Sequence, residues 1–167
     1  MPVTHRPITL YPNEILSRRA EPREVDDALR EAGADLLSTA EHHRAYGLAA
    51  AHIGLVEPVI VVSMGSIEAR DYRVMFNPVV IAASTETAVG AEGSVSLPGI
   101  EVDVLRPYAV EVEYDDEAGV RSVVSLEGFP SRVAQHEIDQ VNGVFFLERV
   151  SRLKRDAALR RFRKLNR

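Results

Sequence analysis

Cysteine is absent from the 167-residue sequence, and so is tryptophan. The lack of thiols excludes disulfide bonds, iron–sulfur clusters, thiolate metal sites and a cysteine nucleophile. No uninterrupted apolar run approaches the ~18 residues that a membrane-spanning helix needs, and the N-terminal residues lack the apolar stretch of a signal peptide. We therefore expect a cytoplasmic protein that makes no contact with a membrane.

Charge is distributed unevenly along the chain. Residues 149–167 contain nine Lys or Arg and one acid, whereas residues 1–148 contain 11 basic and 24 acidic residues. An acidic body argues against binding DNA, but a concentrated basic segment can still bind phosphates. Apolar side chains recur at helical intervals in the same segment, so the sequence predicts a basic C-terminal helix over about 148–167.

Two other segments show helical spacing. Residues 22–43 repeat apolar side chains every three or four positions, and Pro22 suits a first helical turn. A second helix is predicted from about Pro130 to Asn142, because proline suits the first turn and the following Gly143 suits a C-terminal cap.

The middle of the chain has the period of β-strands. Between residues 55 and 126, segments rich in Val and Tyr are separated by turn residues. Segments 108–114 and 120–126 predict a hairpin whose loop is closed at Gly119. With 46% apolar residues and no linker or repeat, the sequence predicts one α+β domain over 1–167.

Residues 135–140 read Q-H-E-I-D-Q and lie on the second predicted helix. His136 and Gln140 are one turn apart on one face, with Glu137 beside them. In the pattern H-E-x-x-H, this spacing lets two imidazoles bind a metal while the glutamate handles the proton of a bound water. Because Gln140 replaces the second histidine, the pattern is equally consistent with a solvated helix that carries an incidental histidine.

Two further segments carry motifs that matter together with residues 135–140. Residues 45–52 read A-Y-G-L-A-A-A-H, and residues 92–99 read E-G-S-V-S-L-P-G. Together with residues 135–140, they resemble the peptide deformylase signatures G-x-G-L-A-A-x-Q, E-G-C-L-S and Q-H-E-x-D-H. Order and spacing match, and the resemblance extends over nearly the whole chain.

The resemblance implies an α+β fold in which antiparallel sheets surround the helix carrying His136 and Glu137, with a C-terminal helix beyond. It also implies a hydrolase that removes the formyl group from N-formylmethionyl peptides during protein maturation. The family's metal is held by one Cys and two His, and these positions fall on Ser94, His136 and Gln140.

The resemblance assigns roles to four other residues. Glu137 is the general base, and His52 stands where the family has a glutamine that donates to the oxyanion. Gly47 and Leu48 match the strand that pairs with the backbone of the bound peptide. Peptide binding in this mode depends on main-chain groups, so we expect it to survive loss of the metal.

Two of the three metal ligands are replaced. A serine hydroxyl is much harder to deprotonate than a thiol, and a glutamine amide is a neutral, weak ligand. We therefore expect a divergent homologue with a degraded metal site, no bound cofactor and impaired deformylase activity. The polar residues that remain are also of the types that serve metal-free acid–base chemistry.

Three alternatives stay open from the sequence. The first is an active metal-dependent hydrolase in which His52 and His136 hold Fe²⁺, Ni²⁺ or Zn²⁺ and Glu137 is the base. The second is a non-catalytic protein that binds peptide N-termini. The third is a hydrolase redeployed to a small formyl or amide compound.

The resemblance also makes structural expectations. It implies a Glu92–Arg106 ion pair. Asp139, on the second helix, is expected either to orient a histidine or to lie exposed to solvent. The pocket for the first peptide side chain would be bordered by Tyr46, Phe129 and Val133. A C-terminal helix like that of 148–167 binds the ribosome in bacterial family members, so contact with ribosomal RNA phosphates is expected.

Overall fold

The computed structural model describes residues 5–167, and the first four residues considered in the signal-peptide prediction lie outside it. It contains three α-helices and seven β-strands. The helices are α1 (Asp27–His43), α2 (Gly128–Val141) and α3 (Arg152–Leu165). The strands are β1 (Gly47–Ala49), β2 (Val59–Ser63), β3 (Tyr72–Ala83), β4 (Thr87–Ser94), β5 (Leu97–Pro107), β6 (Ala109–Asp115) and β7 (Arg121–Glu127).

The strands form two antiparallel sheets. One has five strands in the order β1-β2-β3-β6-β7, and the other is the β4–β5 hairpin. Buried residues of α2, among them Val133, Ala134 and Ile138, share one core cluster with β2, β3, β6 and β7. The α+β class and the helix surrounded by antiparallel sheets are therefore confirmed.

Helix α1 begins five residues later than Pro22, where the sequence predicted a first turn. Asp26 is its N-cap, and the carboxylate accepts a hydrogen bond from the backbone N–H of Leu29. A capping carboxylate satisfies one of the N–H groups that a first turn leaves without a partner, so the helix begins after Asp26. Leu29 and Leu36 are fully buried and pack against the other face of the five-stranded sheet.

Helix α3 is shorter than the predicted 148–167. Residues 146–149 form a 3₁₀ turn, and Ser151 caps α3 by accepting from the N–H of Lys154. Phe146 and Leu147 enter the core next to β5, so the chain turns there before the helix begins. No helix within residues 5–167 combines the length and the apolar character needed to cross a membrane.

Candidate active site

A cleft of about 810 Å³ lies between the edges of the two sheets, with α2 along one side. Within residues 5–167, strand β1 ends the five-stranded sheet and β4 pairs only with β5, so each of these strands has one edge without a strand partner there. The lining includes five of the predicted site residues: Gly47, His52, Ser94, His136 and Glu137. The pocket-border residues Tyr46, Phe129 and Val133 line it as well.

Gly47 brings the β1 backbone against α2. A Cβ atom at this position would lie 2.5 Å from Val133 Cγ1 and 3.0 Å from Glu137 Oε2. Both distances are shorter than ordinary carbon contacts, so only glycine lets the strand edge approach the helix this closely. The neighbouring Leu48 is fully buried on the α1 side, so it contributes its backbone to the edge and its side chain to the core.

His136 is oriented by Glu92. Its Nδ1 lies 2.9 Å from Glu92 Oε1, and Arg106 binds the same carboxylate through Nε and Nη2. Burial opposes ionisation of Glu92, but the hydrogen bonds from Arg106 and His136 lower its pKa to about 2. The ionised carboxylate can only accept, so Nδ1 of His136 is the donor, and whenever the ring is neutral its lone pair is on Nε2.

The expected Glu92–Arg106 ion pair is thus confirmed, whereas the expected role of Asp139 is wrong. Asp139 accepts from Arg106 Nη1 at 2.9 Å and from Arg149 at 2.7 and 2.9 Å. It orients an arginine, and Glu92 is the carboxylate that orients the histidine.

His52 is buried and neutral. Its Nδ1 accepts a hydrogen bond from the backbone N–H of Ala49 at 2.9 Å, which assigns the proton to Nε2. Burial, together with the charge of His136, lowers its pKa to about 3. The 3.6 Å separation between Nδ1 and Glu137 Oε1 is therefore not an ion pair. Nε2 is buried with no hydrogen-bond partner among residues 5–167.

Glu137 has the ionisation behaviour of a proton carrier near neutral pH. Burial raises its pKa to about 7, and its Oε1 has no hydrogen-bond partner in the described chain. The pKa of His136 is raised as well, because burial is outweighed by the charge of Glu137 and the hydrogen bond to Glu92. A carboxyl group that gains and loses a proton near pH 7 is suited to general acid–base work.

Gln140 lies beneath the cleft and does not line it. The side chain is 1% exposed, and its Nε2 donates to the carbonyl oxygen of Leu16 at 2.5 Å. The amide oxygen is buried without a partner in the part of the chain that is described. Ser94 does line the cleft, and its hydroxyl oxygen accepts from the N–H of Ser96 at 3.1 Å.

The ligand set implied by the resemblance does not fit the residues present. Ser94 supplies a hydroxyl, His136 an imidazole and Gln140 a neutral amide oxygen, so the set contains no anion and no sulfur. A site for a borderline-soft transition metal gains most of its affinity from thiolate and imidazole donors. A single imidazole with two weak oxygen donors does not reproduce the metal centre of a Cys and two His.

A different set of residues could hold a metal. Donor atoms of His52, His136 and Glu137 all lie within 4.8 Å of one another, and all three residues are buried. Two imidazoles and a carboxylate are a common ligand set for divalent transition metals. From the sequence, the two histidines were expected as possible ligands, whereas Glu137 was expected to act as the base.

Arg132 and Arg161 also line the cleft and were missed by the sequence analysis. The signal for Arg132 was available, because it is four residues before His136 and hence on the same helix face. Arg161 could not be placed from sequence, since it reaches the cleft from α3 by packing of that helix on β5.

Comparison with known proteins supports the resemblance. Residues 5–156 match the polypeptide deformylase family. A peptide deformylase-like protein of Agrobacterium fabrum is 41% identical over 160 residues, which cover 95% of this chain and 96% of the relative. A peptide deformylase of Rhizobium meliloti is 37% identical over 164 residues, covering 97% of this chain and 94% of the relative.

Comparison with solved structures supports the same family assignment. The peptide deformylase of Thermus thermophilus superposes with a TM-score of 0.85 at 37% identity, over 96% of this chain and 94% of that one. The Ehrlichia chaffeensis enzyme in complex with actinonin gives a TM-score of 0.88 at 29% identity, over 98% of this chain and 99% of that one. By sequence, fold and the arrangement of its cleft, the chain belongs to the polypeptide deformylase family.

Proposed function

We propose that this protein binds the N-terminal residues of a peptide in the cleft and does not remove formyl groups at the rate of a metal-loaded deformylase. The supporting observation is the cleft itself, which lies between two strand edges with His136 and Glu137 at the adjoining helix. An extended peptide laid along such an edge becomes an added strand, held by main-chain hydrogen bonds.

The approach of β1 to α2 at Gly47 supports the same proposal. The strand edge lies close to Glu137, whose carboxyl is 3.0 Å from where a Cβ would stand. A peptide paired with β1 would therefore place its terminal group near His136 and Glu137. Neither contact requires a metal.

Impaired catalysis follows from the ligand positions. Ser94 and Gln140 offer no anionic donor, and the amide nitrogen of Gln140 is bonded to Leu16. Without the metal, the water that attacks the formyl carbon would have its ordinary pKa, far above the ~7 of a metal-bound water. Glu137 would then act as a base on a poor nucleophile.

Three measurements on one anaerobic preparation of the wild-type protein test the proposal. Fluorescence polarisation of a labelled formyl-Met peptide should show saturable binding, competed by the unlabelled peptide. A deformylation assay should give a rate at least about a thousandfold below that of a loaded deformylase measured in parallel. Elemental analysis should show no stoichiometric transition metal.

Each outcome that differs from these expectations contradicts a different part of the proposal. Fast turnover with bound metal would contradict the proposal of impaired activity. Absence of peptide binding would contradict the binding proposal and would point to a small formyl or amide compound as the natural ligand.

A metal-dependent hydrolase is the second candidate, and the cluster of His52, His136 and Glu137 favours it. Titration with Co²⁺ tests it, because coordination gives visible absorption bands. If His52 is a metal ligand, the variant His52→Gln should lose the Co²⁺ absorption bands and keep the fold. Unchanged absorption in that variant would exclude His52 as a ligand.

We further propose that the basic face of α3 contacts ribosomal RNA. Six cationic side chains of α3 are exposed: Arg152, Lys154, Arg160, Arg161, Arg163 and Lys164. Their concentration on one helix of an acidic protein suits binding to a phosphate backbone.

A further inference from the structure

Arg132 occupies an unusual position for a charged side chain. It lines the cleft one helical turn before His136, and its side chain is only 12% exposed. The guanidinium reaches from α2 to the β4–β5 hairpin, where Nη1 donates to Glu92 Oε2 and to the carbonyl of Val104, both at 2.8 Å. Nη2 donates to the carbonyl of Ala88, also at 2.8 Å.

Gly90 provides the space for this guanidinium. A Cβ on Gly90 would lie 2.8 Å from Arg132 Nε and 2.9 Å from its Cζ. A guanidinium has five N–H bonds, and three of those on Arg132 are used in the contacts above. The Nε–H and one Nη2–H have no acceptor among the described residues, so two donors of a fixed cation remain available.

Arg132 has no carboxylate of its own among the described residues. Glu92 is shared by Arg132, Arg106 and the imidazole of His136. Arg106 has Asp139 as a second partner, but Asp139 is shared with Arg149. Arg132 and Arg106 therefore share the one carboxylate of Glu92 beside the cleft, so the positive charge of Arg132 is only partly neutralised.

Apart from the histidines, the other acidic and basic residues that line the cleft are Glu101, Arg161 and Glu137. Glu101 and Arg161 lie at the mouth, where their opposite charges offset each other and where Arg161 bonds to the backbone oxygen of Glu101. Glu137 lies five residues beyond Arg132, beside His136, and is not an ion-pair partner of Arg132 within residues 5–167.

A bound peptide would bring its first side chain to this wall. Under the proposed function, the terminal group lies at His136 and Glu137. Arg132 is one helical turn away, about 5.4 Å along the axis, which is within reach of the side chain on the residue that carries that group.

We propose that Arg132 makes the cleft select N-acylated peptides, or N-acylated amino acids, whose first side chain is a carboxylate. The inference rests on the proposed peptide-binding function and specifies its ligand class. A carboxylate can accept the two free N–H groups of the guanidinium in a charge-assisted bond, whereas an uncharged apolar chain leaves them without an acceptor.

Competition binding with three peptides tests the inference on the full-length protein. N-formyl-Glu-Ala-Ser and N-formyl-Gln-Ala-Ser differ in charge but hardly in shape, and N-formyl-Met-Ala-Ser represents the apolar class. We expect the Glu peptide to bind about tenfold more tightly than the Gln peptide, with a preference that weakens as salt is raised. The Met peptide should bind no better than the Gln peptide.

The variant Arg132→Leu should lose the Glu preference and gain affinity for the Met peptide, while Arg132→Lys keeps the charge and part of the preference. Arg160→Leu, at an exposed arginine of α3 that does not line the cleft, is the control and should leave the Glu/Gln ratio unchanged. Urea midpoints identify any variant that fails to fold, and in that case the wild-type preferences decide the result.

Equal affinity of the wild type for the Glu and Gln peptides, or tighter binding of the Met peptide, would overturn the inference and leave the peptide-binding proposal intact. Binding of none of the three would overturn both.

Discussion

A histidine at position 140 could both donate a hydrogen bond and bind a metal, whereas the Gln140 side chain makes only the hydrogen bond. Its amide N–H is bonded to the carbonyl of Leu16, and its oxygen is buried without a partner among residues 5–167. An imidazole could give that bond from Nδ1 and present the lone pair of Nε2 to a metal. Glutamine keeps the structural bond and offers only a neutral oxygen.

The double variant Ser94→Cys plus Gln140→His should therefore regain metal binding. The backbone contact at Leu16 is already in place to orient the new imidazole, and the thiol at residue 94 supplies the missing anion. Elemental analysis of anaerobically purified protein should approach one Fe²⁺, Ni²⁺ or Zn²⁺ per chain, with each single variant well below that.

The control is Ser125→Cys, which adds a thiol to the exposed face of β7, outside the cleft. It should bind no stoichiometric metal. A double variant that stays metal-free would mean that the fold has changed around the ligand positions, so that restoring the side chains is insufficient.

The low pKa of Glu92 predicts how the free energy of unfolding depends on pH. Its pKa is about 2 in the folded protein against 4.5 as the ordinary value, because Arg106 and His136 outweigh the effect of burial. A carboxyl with a depressed folded pKa stabilises the protein above its unfolded pKa and loses that contribution as pH falls. The stabilisation is thus complete above about pH 4.5 and disappears toward pH 2, with a size on the order of 3 kcal/mol.

Urea denaturation from pH 3 to 7 checks this expectation by comparing the wild type with Glu92→Gln. The difference in unfolding free energy should be largest near neutral pH and should shrink below pH 4.5. Glu31→Gln, in which an exposed carboxylate is removed from α1, is the control. A Glu92→Gln difference that is independent of pH would contradict the assigned charge state.

Among secondary-structure elements, the pair formed by β1 and α2 decides the width of the cleft. The variant Gly47→Ala should weaken peptide binding at least tenfold, because the new methyl would meet Val133 Cγ1 at 2.5 Å and push the strand from the helix. The displaced edge could no longer pair with an added strand beside Glu137. Fluorescence polarisation with the labelled formyl-Met peptide measures the change.

The double variant Gly47→Ala plus Val133→Ala tests the cause. Removing the Val133 methyl groups relieves the shortest contact, so binding and stability should recover in part. Failure to recover would show that the contacts at 3.0 Å, with the Val61 carbonyl and with Glu137 Oε2, are the limiting ones.

The sequence predicted the elements better than their ends. Helices α1, α2 and α3 were all expected from apolar spacing, and the β6–β7 hairpin from its alternation and Gly119. The start of α1 was wrong by five residues because the capping bond of Asp26 outweighed the first-turn preference of Pro22. Local preferences compete over a few residues, and the cap that forms depends on what the next turn packs against.

At the scale of the whole molecule, an acidic body and a basic C-terminal helix are joined in one chain. Residues 1–148 have more than twice as many acids as bases, whereas α3 carries most of the excess positive charge. If α3 binds RNA phosphates, association with purified ribosomes should weaken steeply with salt, because each phosphate contact releases a counterion. Co-sedimentation with ribosomes between 50 and 300 mM salt measures this, because the Debye length shortens as the salt concentration is raised.

The variant Arg163→Glu plus Lys164→Glu should reduce ribosome binding at least tenfold. Its matched control reverses two exposed arginines outside α3, Arg18→Glu plus Arg19→Glu, and should have a much smaller effect. Binding that is insensitive to salt, or equal losses in the two variants, would contradict a specific role of α3.

The sequence by itself determined the family and the helix that carries His136 and Glu137, and it supplied the hypothesis that Ser94 and Gln140 stand at metal-ligand positions. These follow from residue types at fixed spacing along one chain segment. The resemblance anticipated the Glu92–Arg106 pair, but the tertiary structure decided the other contacts between segments. It placed Glu92 on His136, assigned Asp139 to arginines and extended Arg132 into the cleft. Such contacts depend on the packing of α2 against the β4–β5 hairpin, which no local pattern encodes.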